Sequence, residues 1–191
     1  MIPIPTDFDN ARAYDGNSIP PLPLGGHVCR VHSARVEKTR NGTDQLIVEF
    51  DVYEDGEFNR YYNRRFEAAN AYRPDAKWPG VFRANLLTRD GATNGYFKGF
   101  ITALEQSNTG YSFKATNGNE AAMRGLYVGF VFGERDFRGS DNKIKTVVEP
   151  FYAASVAKVR EGMPIPAKKA LRENAPAQDM APVYDDELPF A

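Results

Sequence analysis

Residues 41–54, NGTDQLIVEFDVYE, contain the pattern that decides the fold. The Asn41-Gly42 dipeptide is the strongest short-range signal for a tight β-hairpin turn. Apolar side chains then occupy every second position, at Leu46, Val48, Phe50 and Val52. Because side chains of a strand alternate between its two faces, this period of two predicts a half-buried antiparallel strand that follows a hairpin turn.

Further strands are expected on both sides of this one. Residues 25–40, GGHVCRVHSARVEKTR, carry β-branched residues separated by polar ones and run into the same turn. The Asp55-Gly56 dipeptide gives a second turn, and residues 58–67, FNRYYNRRFE, alternate again behind it. The three segments together predict a three-stranded meander.

One helix and two more strands are expected after an irregular stretch at residues 68–95. Residues 96–108, YFKGFITALEQSN, place apolar side chains at helical intervals. Residues 126–137, LYVGFVFGERDF, predict a fourth strand. Residues 143–159, KIKTVVEPFYAASVAKV, predict a fifth, with a break or bend at Pro150.

The resulting order is strand, strand, strand, helix, strand, strand. This is the order of the OB-fold, a five-stranded, partly open barrel that binds oligonucleotides on its strand 2 and 3 face. The loops between strands 1 and 2 and between strands 4 and 5 complete that binding surface. We therefore expect an all-β protein whose five strands form an OB-fold barrel, with one helix between strands 3 and 4.

Composition divides the chain of 191 residues into one folded domain and two tails. Residues 1–23 are rich in proline and show no period, so we expect an extended N-terminal arm. The OB domain is expected at residues 24–160, followed by a flexible linker at 161–183 and an acidic tip at 184–191. With 42% hydrophobic residues the domain has enough apolar side chains for a core.

Several classes of protein are excluded by what the sequence lacks. No stretch of 18 apolar residues and no signal peptide are present, so we expect no membrane association and a place in the cytoplasm of the cell, or of the host cell for a phage protein. Cys29 is the only cysteine, which excludes an intrachain disulfide and a cysteine-built metal cage. No phosphate-binding glycine loop and no nucleophile elbow are present.

Charge is distributed unevenly along the chain. Residues 16–172 hold 23 basic and 17 acidic residues, a net charge of +6, whereas residues 173–191 carry a net charge of −5. A cationic body with an acidic tail suits a polyanionic partner, because clustered Lys and Arg release counterions from phosphates. The alternative is an ordinary solvated surface.

Basic and aromatic residues lie in the segments where an OB-fold binds nucleic acid. A groove for single strands needs guanidinium groups for phosphates and rings on which bases stack, and such stacking is indifferent to sequence. In the first hairpin the candidate DNA-binding residues are Arg35, Lys38, Arg40 and Tyr53. The third predicted strand adds Arg60, Tyr62, Arg64 and Arg65, and the irregular segment adds Trp78 and Arg83. The last hairpin adds Arg135, Phe137, Arg138, Lys143 and Lys145.

A different interpretation of these residues stays open. Some of the aromatic rings would then belong to the core, and the arginines would be solvated. Because a strand alternates, one of Tyr61 and Tyr62 must face inward if the segment is a strand.

The sequence ends in YDDELPFA, residues 184–191, behind a linker punctuated by prolines. This ending resembles the C-termini of bacterial and phage single-stranded DNA-binding proteins (SSBs), in which a disordered linker leads to an acidic tip that closes in Pro-Phe. The residues that match are Asp185, Asp186, Glu187, Leu188, Pro189 and Phe190. The resemblance implies that the tip docks onto replication and recombination enzymes, with the Phe in an apolar pocket and the acids against a basic rim. Ala191 departs from the pattern, because the Phe of the family usually carries the terminal carboxylate.

The body carries a second resemblance. Residues 25–58, 78–82 (WPGVF) and 97–111 (FKGFITALEQSNTGY) resemble proteins encoded in replication modules of phages and mobile elements. This resemblance covers most of residues 20–165 and implies a role in bacteriophage DNA replication or recombination.

Two other groups of residues have side chains of metal-binding types. His27, Cys29 and His32 are metal-binding residue types, but strand alternation separates His32 from the other two, and we expect no zinc site. Glu49 and Asp51 share a face of the second strand and could hold Mg²⁺ in a nuclease.

The sequence therefore predicts a non-enzymatic protein that binds single-stranded DNA without sequence preference and needs neither cofactor nor metal. Its expected partners are single-stranded DNA and, through the tip, replication or recombination proteins; homo-oligomerisation is compatible with the sequence. The alternatives are a metal-dependent nuclease and a viral β-barrel module with a structural or protein-interaction role.

Overall fold

A computed structural model of the protein describes residues 3–6, 8, 9 and 19–171. In chain order the elements are β1 (Gly25–Lys38), β2 (Asp44–Val52), α1 (Tyr61–Asn70), β3 (Val81–Asn85), α2 (Gly95–Ser107), β4 (Tyr127–Arg138), β5 (Ile144–Ala154) and α3 (Val156–Glu161). A short 3-10 helix, Glu120–Met123, precedes β4. These ranges give a mainly β structure, as the sequence predicts.

The five strands form one antiparallel sheet in the order β3-β2-β1-β4-β5. Long β1 lies at the centre, where its first half pairs with β4 and its second half with β2. Within the described residues no pairing joins β3 to β5, so the sheet is open and the expected barrel is not closed.

The predicted third strand is wrong, because residues 58–67 lie mostly in helix α1. The Oδ1 atom of Asp51 accepts a hydrogen bond from the backbone N–H of Tyr62 at 2.8 Å, and its Oδ2 atom accepts one from that of Asn63 at 3.2 Å. A carboxylate that accepts from N–H groups of the first turn satisfies donors that have no partner within the helix. Arg60 precedes the helix in the left-handed conformation, with φ 55°.

The strand that pairs with β2 lies instead in the stretch expected to be irregular. β3 has only five residues, of which Phe82 and Ala84 are buried. Gly80 leads into it and approaches β2 closely: a Cβ there would lie 2.3 Å from the carbonyl oxygen of Phe50. Only glycine, which has no Cβ, fits at position 80, and this close approach fixes where β3 begins.

The sheet has a large core on one face and a smaller one on the other. Strand alternation places Cys29 and Val31 in the main core, together with the apolar face of β2 and with Phe130. The four buried apolar residues of α2 complete it: Phe100, Ile101, Ala103 and Leu104. The helix predicted at residues 96–108 is thus confirmed.

The second core lies on the outward face of β1 and β4, where α3 covers it. It consists of Val28, Val131, Ala154 and Val159. Helix α3 lies directly on the sheet at Gly129, since a Cβ there would be 2.4 Å from a methyl carbon of Val159. The register of β4 and β5 shifts next to Pro150, which confirms the predicted bend.

The described fold extends past both expected domain boundaries. Leu22, within the predicted arm, is only 3% exposed, and its N–H donates to the hydroxyl oxygen of Tyr61. Beyond α3, the N–H of Lys169 donates to the carbonyl of Glu134, and the carbonyl of Lys169 accepts from the N–H of Asp136. Residues at the start of the predicted linker therefore pair with the free edge of β4. Within the described ranges, no helix is long and apolar enough to span a membrane.

Candidate nucleic-acid interface

Two aromatic groups lie along the outward side of β1, and one of their rings, Trp78, also packs against the main core. Arg30 lies directly across from Tyr127 of β4, and each belongs to the face that carries Val28. His32 follows two residues later, where a β-bulge between Val31 and Ser33 interrupts the pairing with β2. We call the surface formed by Arg30, His32, Tyr53, Trp78 and Tyr127 the β1 face.

The first group is an arginine shared by two tyrosines. The guanidinium carbon of Arg30 lies 5.4 Å from the ring centre of Tyr53 and 5.9 Å from that of Tyr127. The two rings meet edge to face at 5.7 Å, and they are 42% and 38% exposed. The Nε–H of Arg30 donates to the carbonyl of Gly125 at 3.0 Å, which fixes the guanidinium beside the rings. A cation held over an aromatic face is stabilised by the quadrupole of the ring.

The second group is a stack of His32 on Trp78. Their ring centres are 4.9 Å apart and their planes differ by 8°. The ring of Phe66 also packs against Trp78, with 5.4 Å between the ring centres. The indole N–H of Trp78 donates to the carbonyl of Phe50 at 2.9 Å. His32 is exposed and Trp78 half-buried, so the stack presents a fixed aromatic surface to solvent.

Both groups are anchored on β1, at positions two residues apart. Arg30 pairs regularly with β2, whereas His32 lies in the β-bulge between Val31 and Ser33. Arg30 and His32 therefore set two ring groups side by side along β1, with a cation in the first. This arrangement can stack flat, unpaired groups and attract negative charge.

The two acids considered for a metal site already have partners. Glu49 accepts from the hydroxyl of Ser33 and from Nη1 of Arg35, both at 2.7 Å. Burial raises the pKa of Glu49, but these two hydrogen bonds and the charge of Arg35 outweigh it and lower the pKa below its ordinary value. Asp51 accepts from the start of α1, and burial holds its pKa above the ordinary value despite those bonds.

Within the described residues, no group of three His, Cys, Asp or Glu side chains is arranged to hold a metal ion. His27 and Cys29 are buried, and His32 stacks on Trp78 on the outward side.

The structure separates the two predicted binding loops. The β1–β2 turn follows Lys38, at the end of β1, whereas β4 continues past the partner of Gly25, at the start of β1, for six more residues to Arg138. The loops therefore lie at opposite ends of β1. They flank the β1 face instead of forming one cluster.

Among the predicted residues of the first hairpin, only Tyr53 belongs to the β1 face. Arg35 is bound to Glu37 and Glu49, and Lys38 forms an ion pair with Asp44 at 2.8 Å. Arg40 lies in the turn and is exposed. Arg83, on β3, is exposed.

The predicted residues of the supposed third strand do not form a groove. Tyr62 is only 4% exposed and packs edge to face on Phe50, so it belongs to the core. Arg65 donates to the hydroxyl of Tyr61, and Arg64 donates to the carbonyl of Glu57. Arg60 lies 3.9 Å from Glu67. The alternation that grouped these side chains on one face is lost because the segment is helical.

The last hairpin carries cations that are mostly paired. Arg135 donates to Glu149 at 2.8 Å, and Arg138 donates to the side chain and carbonyl of Asn142. Lys145 lies 3.7 Å from Asp141. Phe137 is half-buried and Lys143 is exposed. The six predicted residues of the tip, 185–190, lie outside the described residues.

Sequence reasoning missed Arg30 and Tyr127, and it named His32 only in a possible zinc site that it rejected. The sequence did carry a signal for Arg30 and His32, because these two residues of β1 alternate with the core residues Cys29 and Val31. For Tyr127 the signal lay in the strand pairing, since only the register of β1 with β4 brings it to Arg30.

An open groove of about 670 Å³ adjoins the β1 face. Its floor is Gly26 and Val28 of β1, and α3 forms one wall through Val156, Val159 and Arg160. The opposite wall is the segment between β2 and α1. Both tyrosines of the β1 face line the groove.

No protein-family model matches the chain, and no curated protein matches its sequence.

Proposed function

We propose that the protein binds single-stranded nucleic acid, with DNA as the expected ligand, through the β1 face. The observation that carries the proposal is the pair of exposed ring groups on one side of the central strand, one of them centred on Arg30. Rings stack on unpaired bases of any identity, and the cation attracts phosphates. The proposed activity is binding without chemistry.

The strand order supports the same proposal. We propose that the open sheet is an OB-like domain, since the sequence of strands around β1 and the helix before β4 follow the order of that fold. Fold analogy does not by itself establish a function, so the ring groups carry the argument.

The role in the cell is also a proposal. The acidic ending and the resemblance of the body to phage and mobile-element replication proteins support a place in replication or recombination. In this proposal residues 185–190 recruit a partner enzyme while the β1 face holds the strand.

The first test is a fluorescence titration with oligo-dT of the unchanged protein, Tyr127→Ala and Tyr96→Ala. Tyr127→Ala removes a stacking ring and should weaken binding by about 5- to 150-fold, because base stacking on an aromatic residue contributes about 1–3 kcal/mol. Tyr96 is 57% exposed on α2, away from the β1 face, and serves as the matched control with unchanged affinity.

Melting temperatures establish that all three proteins are folded. Equal affinity of the two variants would remove the β1 face from the proposal, and the absence of any binding to oligo-dT would overturn the proposed function. A parallel titration with Mg²⁺ tests the nuclease alternative, which requires loss of the oligonucleotide over time.

A further inference from the structure

The groove beside the β1 face has the size of a ligand site, and two tyrosines of the proposed interface line its opening. Its volume of about 670 Å³ lies within the range of about 300–1,000 Å³ that small-molecule sites occupy. Tyr53 and Tyr127 line the groove and also belong to the β1 face, so a base of the bound nucleic acid that stacks on one of these rings lies at the groove.

The wall between β2 and α1 is acidic. Glu54 lines the groove but is bound, since it accepts from His27 at 2.7 Å and from the N–H of Val28 at 3.2 Å. Asp55 and Asn59 also line it, and both are exposed. Within the part of the chain that the structure describes, their side chains form no hydrogen bond and no ion pair. The groove thus holds a carboxylate that is available to a ligand.

A carboxylate selects against phosphates and for hydrogen-bond donors. It is an acceptor with two oxygen atoms, so it binds best to two donors placed side by side. Guanine presents such a pair, its ring N1–H and its exocyclic amino group. Thymine presents one N–H between two carbonyl oxygens, which a carboxylate repels.

Resting on the proposed function, we propose that the groove is a subsite for one guanine base of the bound strand. The base stacks at the tyrosine mouth and donates its N1–H and amino group to Asp55. Arg160, exposed on the wall formed by α3, meets the negative charge of the neighbouring backbone. The subsite adds a preference for guanine at one position to binding that is otherwise independent of sequence.

The test compares three oligonucleotides of about 16 nucleotides, the upper site size of one OB domain. They are oligo-dT, the same strand with one central dG, and the same strand with one central deoxyinosine, which keeps the N1–H and lacks the amino group. The proteins are the unchanged chain, Asp55→Asn, and the matched control Glu57→Gln. Glu57 is exposed in the same segment and does not line the groove.

We expect the single dG to tighten binding about fivefold or more in the unchanged protein and in Glu57→Gln. The strand with deoxyinosine should lose most of that gain. The Asp55→Asn variant should bind all three strands with the same affinity, that of oligo-dT. Equal affinities for the dT and dG strands in the unchanged protein would overturn the guanine subsite and leave the proposed function standing. A dG gain that persists in Asp55→Asn would equally overturn it, whereas failure of every strand to bind overturns the proposed function itself.

Discussion

His27 has a hydrogen-bond acceptor at each ring nitrogen. Its Nε2 lies 2.9 Å from the carbonyl oxygen of Pro23, and its Nδ1 lies 2.7 Å from Oε1 of Glu54. A carbonyl oxygen only accepts, so Nε2 carries a proton, and the carboxylate favours a second proton on Nδ1. Burial alone lowers the pKa of His27, but the hydrogen bonds and the charge of Glu54 outweigh it and raise the pKa above its ordinary value.

The protein should therefore lose stability as the solution becomes alkaline. The contribution of His27 is complete below the ordinary histidine pKa of about 6.5 and is lost as the pH rises through the raised pKa of the folded state. The pKa of Glu54 is lowered by His27 against the effect of burial, so its contribution is lost only in acid, below about pH 4.3. Urea unfolding should show the full contribution between these two limits.

Substitution isolates this pair. At pH 6, His27→Gln should lower the free energy of unfolding by about 1.5–3 kcal/mol, the range for hydrogen bonds to charged groups. The deficit should shrink as the pH rises above about 6.5. His32→Gln is the control, because His32 is exposed and stacks on a ring without a carboxylate bond. An unfolding free energy of the unchanged protein that is flat from pH 6 to 8 would contradict the prediction.

At the scale of elements, α1 depends on a side chain from another element. Asp51 reaches from the end of β2 to the first N–H groups of the helix, and the hydroxyl of Tyr61 accepts from the N–H of Leu22. The helix thereby joins β2 to the end of the N-terminal segment. Its loss would also remove Phe66 from the side of Trp78.

Asp51→Ala should lower the free energy of unfolding by about 0.5–2 kcal/mol, the usual cost of losing a helix cap. Asp51→Asn keeps one acceptor oxygen and should cost less. Thermal unfolding followed by circular dichroism measures both, and oligo-dT affinity should change little at temperatures where the variants are folded. A stability of Asp51→Ala equal to that of the unchanged protein would mean that the cap contributes nothing. Loss of a Mg²⁺-dependent cleavage in this variant would support the nuclease alternative instead.

At the scale of the whole molecule, charge is separated between a cationic body and an acidic C-terminus. The body of residues 16–172 carries +6 and residues 173–191 carry −5. The described chain ends at residue 171, just after Lys169 pairs with β4. The acids that follow are tethered to the domain, so their effective concentration near its cations is high.

Deletion of residues 184–191 should tighten oligo-dT binding at low salt, because three acids then no longer compete with phosphates. The gain should fade near physiological ionic strength, where the Debye length is about 8 Å. The control replaces Asp185, Asp186 and Glu187 by their amides in the full-length chain and should reproduce the gain.

For the truncated protein and for the triple-amide variant, the logarithm of the binding constant should fall with the logarithm of the salt concentration, with a slope of about −0.7 per phosphate neutralised. Affinity that is insensitive to salt would contradict electrostatic binding. If the truncated protein binds oligo-dT no more tightly than the full-length protein at low salt, the predicted competition between the acidic tip and DNA is wrong. Loss of a replication partner on truncation would support recruitment by the tip.

The amino-acid sequence by itself determined the elements that depend on near neighbours. The turn at Asn41-Gly42 needs only two residues that tolerate its backbone, and Gly42 has φ 76°. The alternation in β2 and the helical spacing in α2 are written within about ten residues each, and both elements lie where these patterns predict. The charge separation is likewise a property of the sequence alone.

Tertiary structure decided what depends on partners far along the chain. The alternation of residues 58–67 predicts a strand, but Asp51 caps a helix there from eleven residues away. β3 is too short for a pattern of its own and exists through its pairing with β2. The β1 face joins Arg30 to Tyr127 across the β1–β4 register and His32 to Trp78 through a bulge and a bond to Phe50. Local sequence sets the period of a segment, whereas strand pairing and capping by distant residues set which side chains meet.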